Sequence, residues 1–203
     1  VGYNYLEARM LSDHKKFPER RFLVTEELPY YCGAEGNIRS YDTNNPWNII
    51  AENDFIAGGF LWTGTDYIGE AGWPSHGWPA GLFDICMVEK PRAAFHRAMW
   101  NDEPMVRIAV RDNALDIDHG RDLWQWPNMA AIWNFPRAYE GLVIEVNTTT
   151  NCERVALFHN GNEMGVRRTV DYPNHTITWC LPYRRGTLVA KGINGTDTVA
   201  VHE

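Results

Sequence analysis

The sequence lacks the charge pattern of a nucleic-acid-binding protein and the long apolar run of a membrane protein. Its 26 acidic residues outnumber its 19 basic residues, which gives a formal net charge of -7. No basic stripe is present to face a polyanion. No stretch is long and apolar enough to cross a bilayer as a helix. We therefore predict that the protein binds neither nucleic acid nor a membrane.

Motifs for metal binding and redox chemistry are also missing. The cysteines are Cys32, Cys86, Cys152 and Cys180. They form no C-x-x-C pair, so neither a zinc site nor a thioredoxin-type motif is indicated. Cys152 and Cys180 could form a disulfide, although free buried cysteine is common. His76, Asp84 and Glu70 do not have the spacing of metal ligands. We expect no metal and no cofactor.

A targeting segment is absent as well. Residues 1–5 have neither the basic n-region nor the apolar h-region of a signal peptide, and the chain does not start with methionine. We therefore expect the chain to be a piece of a longer protein. Its own first residues then carry no information about targeting.

What the sequence does contain is enough apolar material for a folded core. Hydrophobic residues make up 44% of the 203 residues and charged residues 22%, which suits one large domain or two small ones. Aromatic residues reach 13% and include nine tryptophans. Indole faces stack on sugar rings, but tryptophan also fills protein cores.

The first half of the chain alternates between strand and helix patterns. We predict strands over residues 1–5, 21–25 and 55–63 and helices over 6–16, 47–53 and 91–100. The order of strand, helix, strand, helix and strand indicates βα units with parallel strands. A Gly/Pro/Trp-rich loop is predicted over residues 69–81.

The residue pattern changes after Pro104. We therefore predict two domains, residues 1–101 and 102–203. Short β-branched segments are separated by turn signals, a pattern typical of a β-sandwich. The predicted strands cover residues 105–111, 142–149, 154–159, 176–181, 187–192 and 198–202. Asn160-Gly161 is the strongest signal for a hairpin.

One stretch of the first half points to chemistry. In residues 22–27, three apolar residues are followed by Thr25, Glu26 and Glu27. A buried parallel strand that ends in a polar site has this pattern, and β/α barrels carry their chemistry where strands end. The alternative is that Glu26 and Glu27 open a helix and favour its positive end.

Several motifs in order resemble the end of the catalytic barrel of glycoside hydrolase family 2, which includes β-galactosidases, β-glucuronidases and β-mannosidases. They are residues 2–5 (GYNY), 17–18 (FP), 24–26 (VTE) and 58–70 (GGFLWTGTDYIGE). Residues 155–161 with Gly165, and residues 183–190, resemble the immunoglobulin-like domain that follows the barrel. The resemblance implies the C-terminal portion of a (β/α)8 TIM barrel, about strands 6 to 8, followed by an immunoglobulin-like β-sandwich.

The resemblance also implies a retaining enzyme that hydrolyses terminal β-linked sugars by double displacement. It places the catalytic nucleophile at Glu26, with Glu27 as second choice because relatives often carry threonine there. The general acid/base usually stands in an Asn-Glu pair after the fourth strand. Asn162-Glu163 lies instead in the predicted sandwich hairpin. We therefore expect the acid/base in an N-terminal part of the same enzyme that this sequence lacks. The expected partners are this missing part and an oligosaccharide or glycoside substrate. The oligomeric state is left open.

The strand before the one that carries Glu26 contributes two further candidate site residues. Tyr5 matches a family position whose phenol donates a hydrogen bond to the nucleophile. An interior ring with a satisfied hydroxyl is the alternative, since a buried hydroxyl needs a partner in either case. Asn4 could bind sugar hydroxyls or cap a loop.

Four residues that follow Glu26 are also candidates for substrate binding. Trp62 matches the tryptophan on which the family stacks its sugar, with simple core packing as the alternative. Asp66 could accept a hydrogen bond from a sugar hydroxyl or cap the next turn. Tyr30 and Trp47 are weaker candidates.

The alternative function is a non-catalytic carbohydrate-binding or structural-support module, because the second catalytic carboxyl and most of a barrel are missing. Within the enzyme class a β-galactosidase is favoured, and β-glucuronidase and β-mannosidase are alternatives. Uronate recognition usually requires extra basic contacts, and no such motif stands near Glu26. A periplasmic or secreted location is favoured over a cytoplasmic one.

Overall fold

The computed structural model of the protein describes residues 1–27, 46–111 and 129–203. Strands predominate and helices are few. The described residues divide into two compact units, residues 1–88 and residues from Glu89 onward. Helix α3, Pro91–Trp100, belongs to the second unit and packs on its strands. The predicted domain boundary after residue 101 stays a prediction.

The first unit is built on a sheet of three parallel strands. They are β1 (Gly2–Asn4), β2 (Phe22–Glu27) and β3 (Ile56–Leu61), in the order β1-β2-β3. Helix α1 (Glu7–Lys16) lies between β1 and β2 in the chain, and α2 (Pro46–Ala51) precedes β3. The predicted alternation with parallel strands is confirmed. Because β2 includes Glu26 and Glu27, the alternative that these residues open a helix is wrong.

One apolar cluster holds the helices of this unit against the sheet. It consists of Met10, Phe22, Val24, Ile49, Ile50 and Ile56. Phe22 and Val24 are buried whereas Thr25 is exposed, as the two-residue period of a strand requires. The apolar face of β2 therefore points towards the helices.

A short hairpin follows β3. Strands β4 (Tyr67–Ile68) and β5 (Gly77–Trp78) pair antiparallel, with Tyr67 opposite Trp78 and Ile68 opposite Gly77. The sequence predicted only a loop over residues 69–81. The difference arises because strands of only two residues are too short to carry a periodic signal.

The second unit contains two antiparallel sheets of four strands each. One has the order β11-β8-β6-β7, with β6 at Val106–Arg111, β7 at Met129–Ala130, β8 at Val143–Thr150 and β11 at Thr176–Pro182. The other has the order β10-β9-β12-β13, with β9 at Arg154–His159, β10 at Asn162–Arg168, β12 at Leu188–Asn194 and β13 at Asp197–His202. All six predicted strands are present.

The core of the second unit is formed by side chains of both sheets. Its largest member is Trp179, 2% exposed, whose indole N–H donates to the Thr148 hydroxyl at 2.9 Å. The predicted hairpin at Asn160-Gly161 is confirmed, because it joins β9 to β10 in two residues with φ of 51° and 79°. Positive φ at both positions is what a type I′ turn requires.

The cysteines that the structure describes are Cys86, Cys152 and Cys180, and all three are free thiols. Cys152 is buried and Cys180 is exposed, so the two do not form the disulfide considered from the sequence. Cys32 lies outside the described residues. Of the helices in the described ranges, none combines the length and the apolar character needed to cross a membrane.

Candidate active site

Tyr5 and Glu26 meet where two neighbouring parallel strands end. The Tyr5 backbone N–H donates to the Glu26 carbonyl oxygen at 2.9 Å. The Tyr5 phenol donates to Glu26 Oε2 at 2.6 Å. Burial and the neighbouring Glu26 carboxylate raise the pKa of Tyr5 above its ordinary value. The phenol therefore remains a donor at neutral pH and holds the orientation of the Glu26 carboxylate.

The backbone at Tyr5 is unusual in a way that suits this role. Its φ is +55°, a left-handed conformation that is uncommon outside glycine. Such conformations cluster at functional sites, where the surrounding structure holds them in place. Here it occurs at the turn from β1 into α1.

Glu27 occupies a different environment although it follows Glu26 directly. Successive side chains of a strand point to opposite faces, and Glu27 is only 1% exposed. A Cβ placed on Gly59 would approach Glu27 Oε2 to 2.8 Å, so only glycine leaves room for this carboxyl. Burial, and the charge of the equally buried Glu7, raise the pKa of Glu27 to about 8. Glu27 is therefore a protonated acid at neutral pH.

Trp62 stands at the end of the third strand. Its backbone N–H donates to the Glu27 carbonyl oxygen at 3.3 Å, so Trp62 lies directly beside the end of β2. Its half-buried ring meets the edge of Tyr67 with centroids 6.1 Å apart and an interplanar angle of 87°. The peptide bond between Trp62 and Thr63 is cis.

Tyr67 and Glu70 add a second phenol–carboxylate pair to this group. The Tyr67 hydroxyl donates to Glu70 Oε2 at 2.5 Å. This hydrogen bond, more than any other cause, raises the pKa of Tyr67 to about 12. The charge of Glu26 acts on Tyr67, and the charge of Glu70 acts on Tyr5. The sequence analysis did not single out Tyr67, although its position within the 58–70 motif was a usable signal.

The structure gives Asn4 and Asp66 partners within the protein. The Thr25 hydroxyl donates to Asn4 Oδ1 at 2.5 Å. Asp66 Oδ1 accepts a hydrogen bond from the Gly81 N–H at 2.8 Å. This bond connects the residue before β4 to a residue that follows β5. A direct role for either side chain in binding sugar stays a prediction.

The two weaker candidates are not brought to this group of residues by the described structure. Trp47 packs against the apolar cluster beneath α2. Tyr30 lies outside the described residues. Within the described ranges, no group of three or more His, Cys, Asp or Glu side chains could hold a metal ion.

Comparison with known proteins places these observations in context. Residues 141–200 match a family model described as a domain of unknown function, DUF4982. A putative β-glucuronidase from Formosa agariphila is 31% identical over 156 residues, which cover 73% of this chain and 13% of that protein. The β-galactosidase BoGH2A from Bacteroides ovatus is 24% identical over 224 residues, with coverage of 93% and 24%.

A solved structure of a glycosyl hydrolase family 2 member from Bacteroides cellulosilyticus matches over 99% of this chain. It has a TM-score of 0.79 and 30% identity, and the match covers 24% of that structure. The chain thus spans about a quarter, or less, of the length of these relatives. Over nearly its whole length, the chain has the resemblance to glycoside hydrolase family 2 that its motifs predicted.

Proposed function

We propose that the chain is the C-terminal part of a retaining β-glycosidase and that Glu26 is the catalytic nucleophile. The first unit would supply the last strands of a (β/α)8 barrel, about strands 6 to 8. The second unit would be the immunoglobulin-like β-sandwich that follows the barrel. The hydrogen bond of 2.6 Å from Tyr5 to Glu26 carries this proposal, because it orients a carboxylate at the carboxyl ends of parallel strands.

The proposed reaction proceeds in two displacements. The Glu26 carboxylate attacks the anomeric carbon, a C–O bond to Glu26 forms, and the glycosidic C–O bond breaks with its electron pair on the leaving oxygen. That oxygen takes a proton from a second carboxyl, which retaining enzymes hold about 5–5.5 Å from the nucleophile. Water then attacks the same carbon, gives its proton to the second carboxyl and releases Glu26. The second carboxyl would come from another part of the full-length protein.

Glu26 suits the nucleophilic role better than Glu27 does. A nucleophilic carboxylate must be ionised and must reach the substrate. Glu26 is partly buried and accepts a phenol hydrogen bond. Glu27 is 1% exposed, and its pKa of about 8 keeps it protonated at neutral pH. Glu27 meets neither requirement, so Glu26 is the one proposed as nucleophile.

The charges around Tyr5 favour a neutral sugar as the substrate. Besides burial, two carboxylates of the described chain, Glu26 and Glu70, act on Tyr5 and raise its pKa, as does the neighbouring Tyr67. A uronate carboxylate would be repelled there. We therefore propose a terminal β-galactoside. A β-mannoside is the other neutral candidate, and a β-glucuronide is the charged alternative that the name of the Formosa relative suggests. A periplasmic or secreted location suits such substrates.

The experiment uses the full-length protein that contains this chain. Wild type should hydrolyse 4-nitrophenyl β-galactoside faster than the β-mannoside or β-glucuronide. Glu26→Gln should lower kcat by roughly 10³-fold or more, since the covalent step has no other nucleophile. A 2-deoxy-2-fluoro-β-galactosyl fluoride should label the peptide that contains Glu26, as mass spectrometry would detect.

Glu163→Gln is the matched control, because Glu163 is an exposed glutamate in the second unit. It should keep wild-type kcat. Full activity of Glu26→Gln, or a label on another residue, would remove Glu26 from the mechanism. A wild-type protein that hydrolyses none of the three glycosides would favour the alternative, a non-catalytic carbohydrate-binding or structural-support module.

A further inference from the structure

The turn over residues 67–70 brings a carboxylate back to a phenol. Its backbone is left-handed at Gly69 and again at Glu70, with φ of 104° and 50°. Glycine accepts such values freely, whereas glutamate adopts them rarely and keeps them only where the surrounding structure requires it. In this conformation Glu70 Oε2 accepts a hydrogen bond from the Tyr67 hydroxyl at 2.5 Å. The turn therefore directs the Glu70 carboxylate at this hydroxyl.

The main chain at Tyr67 has a fixed place after the end of β3. Tyr67 pairs with Trp78 in the β4–β5 hairpin. Directly before it, the Asp66 N–H donates to the Phe83 carbonyl oxygen at 2.9 Å, and the Phe83 N–H donates to the Gly64 carbonyl oxygen at 3.0 Å. With the main chain held by these bonds, the orientation of the Tyr67 ring depends on its side-chain contacts.

The Tyr67 side chain contacts both Trp62 and Glu70. Its ring meets the Trp62 ring nearly at a right angle, with centroids 6.1 Å apart, an arrangement that aromatic pairs favour. The hydrogen bond to Glu70 is the largest cause of the raised pKa of Tyr67, and a hydrogen bond from the Trp62 side chain opposes it. Because the Tyr67 O–H is directed at Glu70, its oxygen lone pairs are left to accept from the indole N–H.

The position of the Trp62 ring matters because Trp62 lies beside the strand that carries Glu26. The Trp62 N–H donates to the Glu27 carbonyl oxygen at 3.3 Å, and Glu27 follows Glu26 directly on β2. The ring is half-buried, so part of it is accessible to a ligand. A flat ring stacks on the C–H face of a sugar only at the correct tilt.

We infer that Glu70 is a positioning residue of the proposed active site, and that it acts through the Tyr67 hydroxyl to hold the Trp62 ring at the tilt that the terminal sugar requires. The inference rests on the proposed function, in which a terminal sugar binds at the end of β2. A bond that served only to close the hairpin would be redundant, because the Gly69 N–H already donates to the His76 carbonyl oxygen at 3.0 Å.

The test measures kcat and KM of the full-length protein on 4-nitrophenyl β-galactoside, or on the matching glycoside if the protein prefers another sugar. Glu70→Ala and Tyr67→Phe should each raise KM about tenfold and leave kcat within about twofold, because the ring that binds the sugar is displaced while Glu26 keeps its place. The double variant should be no worse than either single variant, because both substitutions break the same chain of hydrogen bonds.

Glu70→Gln is the conservative variant. Its side-chain oxygen can still accept the hydrogen bond from Tyr67, so it should recover most of the loss in KM. Glu52→Ala is the matched control, because Glu52 is an exposed glutamate of the same unit that directly follows α2. It should leave KM unchanged. The melting temperature of all these variants should stay at the wild-type value, because the Tyr67–Glu70 bond is exposed to solvent.

A second readout follows the Trp62 ring without any turnover. In full-length protein labelled with fluorinated tryptophan, fluorine NMR resolves the tryptophans, and Trp62→Phe identifies the signal of Trp62. Glu70→Ala and Tyr67→Phe should shift this signal in the same direction, whereas Glu52→Ala should not move it.

Four outcomes would overturn the inference. Additive losses in the double variant would mean that Glu70 and Tyr67 act independently. Equal falls in kcat and in melting temperature would mean that the pair only supports the fold. A Trp62 signal that does not respond to Glu70→Ala, in a protein that hydrolyses glycosides, would refute this inference and leave the proposed function intact. A wild type inactive on every glycoside would instead refute the proposed function, and this inference with it.

Discussion

The two units of the chain bury polar groups of different kinds. In the first unit the carboxyls of Glu7 and Glu27 are 0% and 1% exposed, and Glu27 shifts its pKa to remain neutral. In the described part of the second unit, the strands bury threonines and one asparagine, and helix α3 buries Arg92 and His96. Thr150, for example, donates to the Met105 carbonyl oxygen at 2.6 Å. Neutral hydroxyls with partners cost little to bury, whereas carboxyls cost much.

This difference indicates a division of roles. Among the described buried residues of the second unit none carries a carboxyl, and its core gains stability from apolar packing. The first unit keeps ionisable groups beside its strand ends, where the proposed chemistry would take place and where burying a carboxyl lowers stability. Stability should therefore respond to packing in the second unit and to pH in the first.

The largest expected effect comes from packing in the second unit. Trp179→Ala should lower the free energy of unfolding of the second unit by about 3–5 kcal/mol, because the substitution leaves a cavity in a fully packed core. Hydrogen exchange of the amides in β8 and β11 of the full-length protein would measure the loss.

Trp179→Phe is the control for this change. It keeps a ring and loses only the 2.9 Å hydrogen bond to Thr148, so it should cost less than Trp179→Ala. A loss below about 1 kcal/mol for Trp179→Ala would contradict the assignment of this core as the main source of stability.

A smaller effect is expected from pH in the first unit. The pKa of Glu27 is about 8 in the folded protein, above the value of about 4.3 for an unfolded chain. Between these values the folded state binds more protons, so stability is full below the lower value and falls as pH rises. The slope is at most about 1.4 kcal/mol per pH unit.

Glu27→Gln should remove this pH dependence, because the amide mimics the neutral acid. Hydrogen exchange of β2 amides, corrected for intrinsic rates and followed from acidic to alkaline pH, would test it. If β2 is equally protected at both ends of this range in wild type, the pKa of Glu27 does not differ between the folded and unfolded states, and the comparison between the units fails.

The smallest effect concerns the orientation of Glu26, the proposed nucleophile. Tyr5→Phe in the full-length protein should lower kcat about tenfold, because Glu26 loses the hydrogen bond that orients it. Tyr3→Phe is the matched control. Tyr3 stands on the same strand, but its hydroxyl donates to Asp13 on α1 at 2.5 Å. Equal losses of kcat in both variants would show that strand β1, rather than the phenol of Tyr5, is responsible.

The sequence predicted the features that depend on local patterns. Parallel strands followed from apolar runs alternating with helices, and the Asn160-Gly161 turn followed from residues that accept positive φ. The pairing of Tyr5 with Glu26 could be expected only from the family resemblance, since 21 residues separate them. No local rule brings such residues together.

Other features were beyond the reach of sequence reasoning. The burial of Glu27 depends on Glu7 from α1 and on the space left by Gly59 in β3, which are long-range contacts. The pairing of β4 with β5 joins strands of only two residues, which are too short to show a hydrophobic period. Strand β10 was missed as well, because Asn162–Arg168 is largely polar and exposed.

Gly59 has a consequence for anyone who engineers this protein. A methyl group there would lie 2.8 Å from Glu27 Oε2 and 2.9 Å from Ile50 Cδ1, so either the carboxyl or the isoleucine must move. If the carboxyl moved towards water, its pKa would fall towards the ordinary range. The absence of a side chain at Gly59 thus leaves the space in which Glu27 stays buried, and this burial makes the stability of the first unit depend on pH. Residue 59 is therefore the first position to vary in a search for alkali tolerance.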